Sequence, residues 1–120
     1  MNEQDQLDPV ALERLRRIGK GEKLLQDMIE LFLQNAPHWV SAMRAGEQSG
    51  EFESLERAAH NMKSSAGTMG ARAVQGLAGR IERLAKERDR AAVGPLLAEM
   101  EAALAPVETQ LRELRKQSNA

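Results

Sequence analysis

Apolar residues recur at spacings of three and four in four successive long segments of the chain, and single glycines separate most of these segments. Such spacing places them on one face of an α-helix, because a helix turns once in about 3.6 residues. The pattern runs longest and without a break from Val93 to Leu114. Aromatic residues make up only 2% of the chain and valine, isoleucine and threonine are scarce, so little favours strands. We predict an all-α protein.

The helix boundaries are marked by capping residues. Asp8 followed by Pro9 is typical of a helix N-cap and first position, and Gly19 is expected to end the short first helix. Gly50 and Gly70 are expected to end the second and third segments. The connections between helices are therefore predicted to be very short.

Short connections require consecutive helices to lie antiparallel. We therefore predict an up-down antiparallel four-helix bundle with a short N-terminal capping helix, formed by residues 8–116. Residues 1–7 and 117–120 are expected to be flexible tails. Pro37 interrupts the backbone hydrogen bonds of the second segment without changing the phase of its apolar stripe, so we expect a kinked helix or two nearly collinear helices there.

The bulk properties exclude several classes of protein. A chain of 120 residues suits one domain, and the absence of cysteine excludes disulfides and a catalytic thiol. A net charge of −1 from mixed signs argues against a nucleic-acid binder. No apolar run reaches the roughly 20 residues that span a bilayer, and the acidic N-terminus is unlike a signal peptide. We expect a soluble, cytoplasmic protein that binds neither nucleic acid nor membrane.

The sequence also argues against a metal site and a conventional enzyme. His38, which follows Pro37 and lies off the apolar stripe, is interpreted as a solvated side chain. Two histidines without further ligands do not predict a metal site. The chain has no phosphate-binding G-x-x-x-x-G-K loop and no paired acids or Ser-His-Asp arrangement, so we expect neither ATP binding nor hydrolysis.

The third segment contains the string AHNMKSSAGTMGA over residues 59–71. At 100° per residue, His60 lies about 130° from the centre of the apolar stripe and is expected to point outward. Ser64 and Gly67 lie on the same side one and two turns later, with Lys63 beside them. A neutral imidazole nitrogen is a nucleophile near neutral pH, Lys63 can offset added negative charge, and the two small residues leave room for a partner.

A lone histidine with Gly67 near a helix end would suit an ordinary surface position, but the whole string resembles the signature of histidine phosphotransfer (HPt) domains. That signature reads His, any residue, apolar, Lys, Gly, Ser, Ser or Ala, and later an apolar residue and Gly. The matching positions are His60, Met62, Lys63, Ser65, Ala66, Met69 and Gly70. The resemblance extends over residues 8–116 as a helix pattern and is sharp over 59–71. Ser64 replaces the usual glycine, which puts partner fit in doubt.

The resemblance implies a function in multistep two-component phosphorelays. His60 would accept a phosphoryl group from the receiver-domain aspartate of a hybrid sensor kinase and pass it to a response-regulator aspartate. The partner receiver would supply Mg²⁺, and this chain would need no cofactor of its own and would act as a monomer. The alternative is a helical adaptor or decoy that binds receivers while His60 is not phosphorylated.

The resemblance also assigns a role to the helix that follows. Family members carry a polar residue there, often glutamine, that orients the imidazole, and Glu82 occupies the corresponding position. Its carboxylate could hold one ring N–H and leave the other nitrogen free to attack. The alternative is that Glu82 is a solvated charge paired with Lys86 four residues later.

A second apolar line on the second helix consists of Leu24, Met28 and Leu31. These residues either pack against the apolar face of the first helix or stay partly exposed, as in the apolar patch that HPt domains present to receivers. Methionine suits such a surface because it adapts to different partners. Gly67 and the positive charge of Arg57 are further candidates for partner binding near the histidine.

Overall fold

The computed structural model describes residues 7–119, and this part of the chain consists of helices, turns and short connections without a strand. The prediction of an all-α protein is confirmed. The five helices are α1 Pro9–Gly19, α2 Lys23–Ser49, α3 Phe52–Met69, α4 Arg72–Lys86 and α5 Arg90–Asn119.

The four long helices contact one another in a closed ring. α3 packs against α2 and α4, and α5 packs against α4 and α2. Among the described helices, the short helix α1 contacts α2 and α3 and neither α4 nor α5. The core therefore lies inside the ring, and α1 covers one side of it.

The apolar stripes of the long helices supply this core. Phe32 and Met43 of α2, Met62 of α3, and Leu97 and Leu111 of α5 are almost completely removed from solvent. Full burial of a large aliphatic side chain contributes about 1.5–3 kcal/mol, so the stripes are the main source of stability. Proline does not interrupt them, since α2 continues across Pro37 as a single helix.

The start of α1 is tied to the end of α3. Asp8 caps α1 by accepting a 2.9 Å hydrogen bond from the backbone N–H of Val10. Its own backbone N–H donates to the carbonyl of Gly70 at 2.8 Å. Gly50 and Gly70 end α2 and α3 in the left-handed conformation, with φ of 77° and 76°. The predicted boundaries at these residues are confirmed.

α1 ends at Gly19, as predicted, but for a different physical reason. The left-handed residue is Lys20, with φ of 55°, and not the glycine. A Cβ atom at Gly19 would lie 2.5 Å from the Cβ of Leu24. Gly19 therefore allows α1 and α2 to approach closely at their turn. α1 buries Leu12 and Leu15, whereas Ile18 in its last turn is 64% exposed.

The predicted tails need correction at both ends. Leu7 lies within the predicted N-terminal tail, but its side chain is 4% exposed and belongs to the core. α5 extends to Asn119, beyond the predicted boundary at residue 116. The remaining parts of both predicted tails, residues 1–6 and 120, lie outside the described residues. Among residues 7–119, no helix is both long and apolar enough to cross a membrane.

We expect Gly70→Ala to destabilise the protein. A left-handed conformation costs a residue with a Cβ about 1–2 kcal/mol. The new methyl would also lie 2.9 Å from the backbone nitrogen and oxygen of Asp8. Urea unfolding followed by circular dichroism measures the loss. The matched control is Gly76→Ala inside α4, where a Cβ meets nothing within 4 Å and helix propensity should add up to about 1 kcal/mol. Equal stability of the two variants would contradict the expectation.

Candidate functional site

His60 lies in the middle of α3, and its side chain is 57% exposed. Its neighbour Ala59 and Met62 two residues later are buried in the core. The imidazole therefore projects from the bundle, on the side that the helical spacing predicts. A partner can reach the ring without any rearrangement of the core.

Glu82 of α4 connects His60 with Lys63. One carboxylate oxygen, Oε2, lies 2.9 Å from His60 Nδ1, and the other, Oε1, lies 2.7 Å from Lys63 Nζ. The Glu82 side chain is only 9% exposed, and no other charged residue is buried in the described part of the chain. The carboxylate is therefore not a solvated charge, whereas the pairing with Lys86 is present, with Lys86 Nζ 3.9 Å from Oε2.

The protonation of this group follows from its contacts. Burial raises the pKa of Glu82, but the hydrogen bonds from Lys63 and His60 outweigh it and bring the pKa below its ordinary value. The carboxylate is thus ionised near neutral pH and can only accept hydrogen bonds. His60 Nδ1 must then carry a proton and donate it to Glu82. In the neutral ring this leaves the lone pair on Nε2, the nitrogen available for attack.

A shallow groove of mixed charge adjoins the imidazole between α3 and α4. Arg57, proposed from the sequence for partner binding, is exposed in this groove. Lys86 Nζ lies 3.9 Å from a Glu56 oxygen and from a Glu82 oxygen, so it is loosely paired with both. The lining residues are Glu53, Glu56, Arg57, His60, Glu82 and Lys86.

The two small residues that follow His60 on α3 differ in their surroundings. Ser64 is exposed, and among residues 7–119 its hydroxyl has no hydrogen bond to the imidazole. Gly67 is partly exposed and packs against Gln75 of α4, whose Nε2 would lie 2.6 Å from a Cβ at that position. Gln75 in turn accepts a 3.1 Å hydrogen bond from Arg72. The expected shallow surface is thus provided at Ser64, whereas Gly67 makes room for a side chain of α4.

A second groove separates α2 from α3, and the α3 residues that line it follow His60 by one to three turns. Met28 and Leu31 line it, and Leu31 is 48% exposed. Leu24 of the same apolar line packs against Gly19, the last residue of α1, which agrees with the alternative that places this line against the first helix. The complete lining is Met28, Leu31, Phe32, Asn35, Trp39, Ser65, Thr68 and Met69. Trp39 was not proposed from the sequence, although it is the only tryptophan of the chain.

Residues 7–119 contain no group of three or more histidine, aspartate and glutamate side chains placed to hold a metal ion. The site instead brings together the imidazole of His60, the carboxylate of Glu82 and the ammonium of Lys63. Such a set can hold and orient a nucleophilic nitrogen and stabilise charge beside it.

Comparison with known protein families assigns this site to a class. The model of the family described as the Hpt domain matches residues 27–116, well over half of the chain. The chain therefore belongs to the histidine phosphotransfer domains of multistep two-component phosphorelays. Proteins of this family are phosphoryl carriers and not conventional enzymes, and they interact with receiver domains of kinases and response regulators.

A solved structure supports the fold. The crystal structure of histidine-containing phosphotransfer protein B (HptB) from Pseudomonas aeruginosa PAO1 superposes with a TM-score of 0.86 and 22% sequence identity. The alignment covers 94% of this chain and 96% of the HptB chain. At this identity the match shows a shared fold. The comparison with curated protein sequences gives no match.

The lowered pKa of Glu82 predicts a specific pH dependence of stability. A group with a depressed pKa in the folded state stabilises the protein above its unfolded pKa, here about 4.5, and this contribution is lost as the pH falls through the folded pKa. We expect wild type to exceed Glu82→Gln in free energy of unfolding at pH 7, and the difference to shrink below pH 4.5. Urea unfolding at a series of pH values measures it.

The control for this experiment is Glu53→Gln, which neutralises an exposed carboxylate of the same groove. Surface substitutions of this kind usually change stability by less than about 0.5 kcal/mol. A difference between wild type and Glu82→Gln that stays constant from pH 7 to pH 3 would contradict the assigned pair.

Proposed function

We propose that this protein is a phosphorelay intermediate. His60 accepts a phosphoryl group from the phosphorylated aspartate of a receiver domain in a hybrid sensor kinase and passes it to the aspartate of a response regulator. The observation that carries this proposal is the 2.9 Å contact between His60 Nδ1 and Glu82 on an otherwise exposed ring. It directs the nucleophilic lone pair to Nε2, where a partner can approach.

The transfer step requires no further reactant. The Nε2 lone pair attacks the phosphorus of the aspartyl phosphate, a P–N bond forms, and the P–O bond to the aspartate breaks. The aspartate leaves as a carboxylate with the bonding electron pair. Nδ1 keeps its proton and its hydrogen bond to Glu82, so no proton has to move. Transfer to the response regulator is the reverse reaction with a second aspartate.

The charges of the site suit both states of the histidine. When Nε2 is phosphorylated, the ring that retains the Nδ1 proton is cationic, and the Glu82 carboxylate balances this charge. The phosphoryl group adds about −1.5 to −2 charges. We assign Lys63, which shares the carboxylate of Glu82 with His60, to offset this charge. The exposed Ser64 hydroxyl is available to the phosphoryl oxygens.

The remaining chemistry belongs to the partner. Mg²⁺ and the acidic residues that bind it would be supplied by the receiver domain, so this chain needs no cofactor and no ATP site. It would act as a monomer in the cytoplasm, where receiver domains are found. We infer that α2–α5 form an up-down antiparallel bundle capped by α1, since very short connections join helices that contact in a ring.

The receiver would dock over His60 and the groove between α2 and α3. This groove combines apolar side chains, including Met28 and the half-exposed Leu31, with the polar Asn35 and Ser65. Arg57 on the opposite side of the histidine adds positive charge that complements the acidic magnesium site of a receiver. Such complementarity increases the rate of encounter more than the affinity.

We expect His60→Gln to abolish acceptance of phosphoryl groups. The protein is incubated with a phosphorylated receiver and Mg²⁺, and acid-labile label on the chain is measured. The control is His38→Gln, which removes the other histidine and should be labelled like wild type. Label that persists on His60→Gln would exclude a relay through this residue. If wild type and His60→Gln both bind the receiver and neither is labelled, the protein is instead the adaptor or decoy.

Leu31→Glu should weaken receiver binding at least about tenfold, since a charge would be placed in the proposed interface, and tenfold corresponds to about 1.4 kcal/mol. Leu31 is 48% exposed, so the bundle should tolerate the change. Val10→Glu is the control, because Val10 on α1 is 62% exposed outside the groove. Titration calorimetry compares the two variants. Equal affinities for the receiver would show that the groove is not the docking surface.

A further inference from the structure

We infer that Gly79 of α4 is a positioning residue for Lys63. The missing side chain at Gly79 lets the aliphatic stem of Lys63 lie against α4, which brings the ammonium to the carboxylate of Glu82. The consequence for phosphoryl transfer rests on the proposed function, whereas the placement of Lys63 does not.

The close approach is visible in the contacts of Gly79. A Cβ atom built at this position would lie 3.2 Å from Lys63 Cδ and 3.9 Å from Cγ. Carbon atoms pack best at about 3.5–4.0 Å, so a methyl group here would press on the middle of the Lys63 stem. The ammonium is only two bonds beyond Cδ, and it lies 2.7 Å from Glu82 Oε1. A displaced stem would therefore change this contact directly.

The backbone does not require glycine at this position. Gly79 lies inside α4 and is not among the glycines with positive φ. Glycine in a helix interior is less favourable than alanine. At Gly76, three residues earlier in the same helix, an added Cβ atom would meet nothing within 4 Å. The two glycines thus share their helical context and differ in their contact with Lys63.

Gly79 and Glu82 are three residues apart and therefore lie on one face of α4. Lys63 and His60 are likewise three residues apart and lie on one face of α3. This face of α3 contacts the face of α4 that carries Gly79 and Glu82. The stem of Lys63 crosses α4 at Gly79, and its ammonium reaches the carboxylate one turn further on. A flexible lysine, 38% exposed, is thereby held in one place beside the phosphoryl-accepting ring.

The test compares Gly79→Ala with Gly76→Ala. In the free, full-length protein, carbon-13 NMR follows the titration of the Glu82 carboxyl group. We expect Gly79→Ala to raise the Glu82 pKa toward its ordinary value, because Lys63 is moved away, and Gly76→Ala to leave it unchanged. With a phosphorylated receiver, Gly79→Ala should slow acceptance several-fold, and Gly76→Ala should not. Circular dichroism confirms that both variants are folded.

Repeating the comparison in a Lys63→Ala background separates an effect on the position of Lys63 from a general effect on α4. In Lys63→Ala, the addition of Gly79→Ala should change neither the titration nor the transfer rate further. An effect that persists without Lys63, or an unchanged Glu82 titration in Gly79→Ala, would overturn the inference. Because the titration needs no partner, a shift in Gly79→Ala without label on any variant would support the positioning role while the proposed relay fails.

Discussion

The buried carboxylate of Glu82 is the interaction on which the site depends. Placing an ionised group at 9% exposure is unfavourable unless charged or hydrogen-bonding partners compensate for the lost water. Here both oxygens are used, one by the ring N–H of His60 and the other by the ammonium of Lys63. The same contacts that keep the carboxylate ionised also determine which imidazole nitrogen carries the lone pair. The Glu82 carboxylate thus contributes both to the stability of the α3–α4 interface and to the orientation of the His60 ring.

The bundle provides this arrangement through two helices with matched spacing. α3 and α4 are joined by a turn of two residues, Gly70 and Ala71, which forces them to pack side by side. Residues three apart on α3 then face residues three apart on α4. The hydrogen bonds of Asp8 to Gly70 and to Arg72 hold α1 on the end of this pair, so the first helix supports the helices of the site without contributing to it.

Much of the site could be predicted because it depends on local sequence. The outward direction of His60 follows from helical periodicity, and the ends of α2 and α3 follow from glycines that tolerate a left-handed conformation. Sequence could not supply the contacts that a residue makes with a distant part of the chain. Leu7 is buried, Leu24 packs against Gly19, and Gly67 accommodates Gln75. In each case local pattern cannot specify the partner, because the partner comes from another helix or from the far side of a turn.

The sequence by itself determined the all-α fold class, the exposed face of α3 and the resemblance of residues 59–71 to a phosphotransfer signature, since all three are properties of residue spacing along one helix. Only the tertiary structure decided that Lys63 shares Glu82 with His60, that Gly79 lies under the Lys63 stem, and that Met28 and Leu31 form a groove with Trp39. These contacts depend on the rotation and separation of neighbouring helices, which the packing of the whole core sets.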